Sequence, residues 1–213
     1  MDGTLLDTET LARACFLRAC DELGWQADAA VYDRCIGTTW EETERIMRHG
    51  FGDEFPYEKI EACWSAHYNA HVNHKPVAIM PGIEAVLGRL ADLGVPMAVA
   101  TASRRGVVER KLQLAGLDEH FEILVCSGET TRGKPYADPY LLAMEHLDVV
   151  AGDCWAIEDS DNGVRAAVAA GMLVFQIPDQ TTPSDEVVAF GHKVLPSAVD
   201  LLHLLPCVTH VSK

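Results

Sequence analysis

The hydrophobic rhythm of the chain changes near Pro76. Before it, apolar residues recur at helical spacing. Leu11, Cys15, Leu17 and Leu23 fall on one face and predict a helix that ends at Gly24. A second helix is predicted over Trp40–His49, stopped by Gly50 and Gly52, and a third from Tyr57 to about Val72. Nothing between Leu11 and His74 reads as a strand. After Pro76 come four short continuous apolar runs: Met97–Ala100, Ile123–Cys126, Cys154–Ile157 and Leu173–Ile177. Such runs suit strands buried on both faces. Helical patterns precede and separate them, at Ile83–Leu93, Arg104–Ala115, Pro139–Leu147 and Val164–Ala170. Strand alternating with helix predicts right-handed βαβ units and a parallel sheet, an α/β fold. In such sheets ligands sit at the carboxyl ends of the strands, and Thr101, Glu158 and Asp159 each directly follow a predicted strand.

Composition narrows the function. The 213 residues suit one medium domain with a modest insert, and 48% apolar content supports a real core. A formal net charge of −15 argues against nucleic acid or an anionic membrane as partner. An anionic substrate therefore needs local help from a metal, a lysine or helix N-termini. No apolar run approaches the ~20 residues of a membrane span, and the charged first residues do not resemble a signal peptide. Cys15, Cys20, Cys35, Cys63, Cys126, Cys154 and Cys207 are odd in number and form no Cys-x-x-Cys, which predicts free thiols and a cytoplasmic location.

Four short segments carry candidate chemistry, each with a plainer alternative. Asp2-Gly3-Thr4 with Asp7 is an acidic motif, though Asp-Gly alone is an ordinary turn. Thr101-Ala102-Ser103 lies between a strand and a helix. Ser103 is expected to cap that helix, and the same geometry aims a hydroxyl and backbone N–H groups at a phosphate. Lys134 is held between Gly133 and Pro135, so it has less freedom than a solvated lysine and could hold a phosphate or neutralise a carboxylate nucleophile. Glu158 and Asp159 end a strand, and adjacent carboxylates there repel unless a cation relieves them. Hard oxygen ligands of this kind suit Mg²⁺. His67, His71 and His74 share a helix face, but no carboxylate accompanies them in sequence, so a solvated or hinge face is the expectation. Trp40 and Trp64 are expected to pack within the helical segment.

Taken in order, Asp-Gly-Thr-x-x-Asp, strand-Thr, Gly-Lys-Pro and strand-Glu-Asp-Ser-x-x-Gly resemble the four motifs of the haloacid dehalogenase superfamily, less the first Asp of the first motif. Residues 133–140 and 158–163 are similar to the β-phosphoglucomutase-like branch. The resemblance implies a three-layer Rossmann-like core at residues 1–8 and 77–213, with a small helical cap at 9–76. It implies phosphoryl transfer through an aspartyl-phosphate, with Mg²⁺ as cofactor. Asp2 would be the general acid/base. Thr101, Ala102, Ser103 and Lys134 would bind the phosphoryl group, and Lys134 would also steady the nucleophile. Asp159, Glu158 through water, and the Asp2 carbonyl would hold Mg²⁺. Trp40 and Thr38 lie where relatives contact substrate.

Departures from the pattern set the subtype. Mutases of this branch carry a cap His where this chain has Ala12, and a cap Arg where it has Gly37-Thr38-Thr39-Trp40. Both favour a phosphatase of a small phosphorylated metabolite over a sugar phosphomutase. Asp2 disfavours a dehalogenase. The partner expected is that metabolite alone, with the protein a monomer or weak dimer. The family's nucleophile would stand one residue before Met1. Without it, the first core strand is missing, and the strands at Met97–Ala100 and Cys154–Ile157 lack a shared neighbour. The sequence is therefore expected to be an N-terminal truncation, inactive as given. The alternative is a non-catalytic protein that binds phosphorylated ligands.

Overall fold

The computed structural model describes residues 1–38 and 40–206; the side chain of Trp40 lies outside the described residues, as do Thr39 and Cys207. The first segment is helical: α1 (Thr8–Glu22), α2 (Ala29–Asp33), α3 (Trp40–Phe51) and α4 (Tyr57–His74). Phe16, Met47 and Ile60 are fully buried in a cluster of their own, with Tyr32, Phe55 and Trp64 around them. The Phe16 ring lies 5.0 Å from Tyr32 and 5.6 Å from Trp64, centroid to centroid. Trp64 packs here as the sequence implied. Aromatic pairs at these separations hold the four helices together without a sheet.

The second segment alternates as predicted: α5 (Ile83–Asp92), β1 (Ala98–Ala100), α6 (Arg105–Ala115), β2 (Ile123–Val125), α7 (Asp138–Leu147), β3 (Trp155–Glu158), α8 (Asp161–Ala169), β4 (Leu173–Gln176), α9 (Asp185–Val188), β5 (Lys193–Val194) and α10 (Val199–Leu202). All strand pairs are parallel, with Val99 opposite Leu124 and Ile157 opposite Phe175. The strands fall into two sheets, β1-β2 and β3-β4-β5, and no ladder joins β1 to β3 among the described residues. The chain's opening turn ties the two sheets together at their carboxyl ends. Asp2 accepts from Ser103 after β1, and Thr4 donates to Asp159 after β3. Leu6, Val108 and Phe175 are fully buried in the core beneath.

The two passages between the segments lie side by side. Asp7 N–H donates to the Ala78 carbonyl at 2.8 Å, and Met80 N–H to Leu5 at 2.9 Å. Thr8 begins α1 with Asp7 accepting at its N-cap, so the helical segment leaves the core and returns through one paired stalk.

Most boundaries fall within a residue or two of the sequence pattern, and three differences have a local physical cause. Gly50 does not stop α3, which runs on to Phe51. A Cβ at Gly50 would stand 2.6 Å from the Val31 side chain, so this glycine admits α2 rather than breaking α3. Gly52, at φ +90°, is the stop. Helix α8 starts at Asp161 rather than Val164, because the Ser160 hydroxyl accepts from Gly163 N–H and caps it earlier. Glu158 is the last residue of β3 rather than the first after it. The short α2, α9, β5 and α10 carry too few residues to show a period.

Candidate active site

The site is built where β1, β3 and the opening turn meet. Gly3, at φ +70°, lets the chain turn there, and a Cβ on it would lie 2.6 Å from Asp159 Oδ2. That close approach brings the Thr4 hydroxyl 2.6 Å from Asp159 Oδ1. On the other side, Asp2 accepts from Lys111 Nζ at 2.7 Å and from the Ser103 hydroxyl at 2.7 Å, one bond to each carboxylate oxygen. Ser103 thus does not cap α6, contrary to the sequence expectation. Arg104 takes the N-cap position without a side-chain bond, and the Ser103 hydroxyl is spent on Asp2. Thr101 is buried, its N–H held by Val125 and its hydroxyl accepting from Ser103 N–H at 3.1 Å.

Lys111 is the residue the sequence did not single out. It lies within α6, only 3% exposed, and its ammonium bonds both Asp2 and the Tyr68 hydroxyl of α4. A lysine inside an amphipathic helix gives no sign of its partner until the helix is docked. Burial opposes charge on Asp2. The Lys111 ammonium, the chain's α-amino group and the two hydrogen bonds outweigh it and hold the carboxyl below its usual range.

Lys134 is placed differently from the expectation that it serves a phosphate or nucleophile. Its ammonium pairs with Glu158, and the Tyr140 hydroxyl donates to the same Glu158 oxygen. Burial would raise the Glu158 pKa, yet Lys134, the α-amino group and these hydrogen bonds hold it low. The repulsion expected between Glu158 and Asp159 is therefore relieved on the Glu158 side by Lys134. Among the described residues no side-chain cation pairs with Asp159, which accepts from the Thr4 hydroxyl. Burial, with the Glu158 charge adding to it, pushes its pKa up. Nearby, Asp179 is pushed to about 6 by burial and by Asp7 and Asp159. Asp179 Oδ2 is buried with no hydrogen-bond partner among the described residues. Glu9 is raised by burial and by the same carboxylates.

An orphaned carboxylate oxygen beside carboxyls that resist ionisation is what a hard divalent cation relieves, and oxygen is the only donor type offered. These residues fit Mg²⁺. Their side chains do not close into a three-ligand cluster; among the described residues only Glu22, Cys63 and His67 do.

A cavity of about 310 Å³ opens over Asp2, lined by Asp2, Ser103, Arg104, Val107 and Lys111 from the core and by Thr8, Glu9, Ala12 and Tyr68 from α1 and α4. Thr38 is not among its walls. Its hydroxyl bonds the Cys35 carbonyl at 2.7 Å and the Thr43 hydroxyl at 2.8 Å. His67, His71 and His74 do not converge either: His71 meets the Pro76 carbonyl, while His67 meets Glu22.

Residues 1–177 match the haloacid dehalogenase-like hydrolase family. The chain belongs to that family. A CbbY protein of Cupriavidus necator is 34% identical over 199 residues, 86% of this chain and 76% of its own. The fructose-1-phosphate phosphatase YqaB of Escherichia coli is 31% identical, over 81% of this chain and 90% of its own. A crystal structure of a CbbY variant of Rhodobacter sphaeroides, in complex with xylulose-1,5-bisphosphate, superposes with a TM-score of 0.69 at 30% identity, over 94% of this chain and 93% of that one. The parallel α/β architecture is that of the family. No helix among the described residues is long and apolar enough to cross a membrane.

Proposed function

We propose that this chain carries the machinery of a Mg²⁺-dependent phosphatase for a small phosphorylated metabolite of the sugar-phosphate kind, acting in the cytoplasm. The observation that carries the proposal is Asp2. Its carboxylate is clamped between Lys111 and Ser103, beside Thr101 and the start of α6, at the floor of a cavity. Relatives named for phosphorylated sugars support the substrate class. A cavity of about 310 Å³ suits one compact metabolite.

In this reading residues 9–76 are the cap and the rest is the core. The family pattern would put a carboxylate nucleophile one residue before Met1; it would attack phosphorus while Asp2 protonates the leaving oxygen. Asp2 then takes a proton from the water that hydrolyses the aspartyl-phosphate, and two easier steps replace one hard one. Thr101, Ala102 and Ser103 hold phosphoryl oxygens at the start of α6. Asp159 and the Asp2 carbonyl would hold Mg²⁺, with Glu158, positioned by Lys134 and Tyr140, contributing through water. Bound there, the ion supplies charge neutralisation for the phosphoryl oxygens. Ala12 lines the cavity where mutases of the branch carry a His, which favours hydrolysis over transfer back to a sugar.

The test is phosphate release from a panel of sugar phosphates and phosphorylated acids, with Mg²⁺ and with a chelator. The 213 residues alone are expected to give no turnover beyond trace. A version extended by an apolar strand ending Phe-Asp before Met1 is expected to give Mg²⁺-dependent release. Robust turnover by the 213 residues alone would overturn the assigned nucleophile. No turnover by the folded, extended version would favour a phospholigand-binding role.

A second expectation concerns Asp179. A carboxyl whose folded pKa is raised stabilises the fold most below its unfolded pKa and loses that contribution as pH rises through its folded value. Stability without metal is therefore expected to decline as pH rises through about 6. Asp179→Asn is expected to flatten that decline. Added Mg²⁺ should raise the melting temperature most above that pH, and Asp159→Asn should abolish the rise. Thermal melts over a pH series, with and without Mg²⁺, measure both.

A further inference from the structure

We infer that Glu22, Cys63 and His67 form a binding site for a zinc-like divalent ion in the helical segment, separate from the phosphoryl site. Cys63 and His67 are one turn apart on the same face of α4, and Glu22 is the last residue of α1, packed alongside. The three ligand atoms form a compact triangle. His67 Nε2 lies 2.8 Å from Glu22 Oε2, Cys63 Sγ lies 3.6 Å from that oxygen, and Cys63 Sγ lies 3.5 Å from His67 Nε2. Three donors on one face of a tetrahedron, each at roughly 2.0–2.3 Å from an ion, stand roughly 3.3–3.7 Å apart. Two edges already match, and the third must open by a fraction of an ångström. That third edge is the one now closed by a direct His67–Glu22 hydrogen bond.

The donor set selects the ion. One sulfur, one imidazole nitrogen and one carboxylate oxygen suit Zn²⁺ and not Mg²⁺, which takes oxygen and water. Arg18 donates to the other Glu22 oxygen at 2.8 Å, so Glu22 offers a single oxygen and is held in place by its neighbour. Glu22 is exposed, leaving the fourth position to water. The thiol of Cys63 is pushed up by burial and by Glu22, so it is protonated without metal. On binding, the sulfur–metal bond forms as the S–H proton leaves to solvent, and the His67–Glu22 hydrogen bond is exchanged for two metal bonds. With the ion bound, thiolate and carboxylate charges balance its two positive charges. Such an ion would pin the end of α1 to the middle of α4. Those same helices carry Thr8, Glu9, Ala12 and Tyr68 to the cavity wall. The sequence hid this site because its carboxylate comes from another helix, whereas His71, which shares the periodicity, meets the Pro76 carbonyl.

The test is Zn²⁺ and Co²⁺ binding to the full 213-residue chain under reducing conditions. One equivalent of Co²⁺ is expected to give a thiolate-to-metal charge-transfer band with tetrahedral d–d absorption. Zn²⁺ is expected to displace it and to raise the melting temperature. Cys63→Ser should remove the band, and His67→Ala should weaken Zn²⁺ binding at least tenfold. Asp159→Asn should leave both intact. Circular dichroism checks that each variant is folded. A band that survives in folded Cys63→Ser would place the metal on another cysteine and overturn the site. So would the absence of any charge-transfer band in the parent chain, or binding lost in Asp159→Asn but kept in His67→Ala.

Discussion

Replacing Asp2 by Ala is expected to cost about 3–5 kcal/mol of folding stability, because it leaves the Lys111 ammonium buried without its counter-charge. Tyr68 remains as a neutral acceptor and does not replace a carboxylate. Adding Lys111→Met to the same chain should recover much of the loss, since a flexible apolar side chain then fills the space. Chemical denaturation of the single and double variants measures the coupling. The pair also predicts a pH window. The Asp2 carboxyl is depressed in the fold, so its contribution is whole above its unfolded pKa and lost as pH falls through the folded value. The Lys111 ammonium is raised despite burial, chiefly by the Asp2 charge, so its contribution is lost only as pH rises through its folded value in the alkaline range. Between those limits the pair is intact. Lys111→Met should flatten the acid limb of stability, because the folded Asp2 carboxyl then loses its main lowering charge; a purely steric role for Lys111 would leave the limb in place. If Asp2→Ala is as stable as the parent, the buried pair is not formed.

The second large effect sets one glycine against another. Gly163→Ala is expected to destabilise by roughly 3 kcal/mol, the upper part of the range for overfilling a packed interior. Its Cβ would fall 1.9 Å from Glu158 Oε2, and Glu158 is only 3% exposed and tied to Lys134 and Tyr140. The carboxylate has nowhere to swing. Helix propensity alone would favour alanine by about 1 kcal/mol, so the clash decides the sign. Gly88→Ala in α5 is the control, because nothing lies within 4 Å of the added Cβ. There the same substitution is expected to stabilise by about 1 kcal/mol. Urea unfolding of both variants reads the contrast. In an active, extended version, Gly163→Ala should also raise the Mg²⁺ concentration needed for half-maximal turnover, since it crowds the Glu158 carboxylate next to Asp159.

Local pattern was enough for the helices that pack on one side and for the strands buried on both. It carried α1, α4, α6 and β1 to β4 because each is long or apolar enough to show its period or its run. It also carried the family, since the ordered motifs survive as a string of letters without any knowledge of contacts. The motifs alone single out Asp2, Thr101, Lys134, Glu158 and Asp159. Their partners were not legible. That Ser103 serves Asp2 and not a helix cap, that Lys134 neutralises Glu158, and that Lys111 and Tyr68 meet in the cavity lining all depend on residues far apart in sequence. The same holds for Gly50, whose use is to admit Val31. Sequence alone determined which elements form and which chemical groups they carry, because those depend on near neighbours along the chain. Tertiary structure alone decided which charges are paired and which are left waiting for a cation, because pairing and desolvation are set by side chains that only the folded core brings within hydrogen-bond reach.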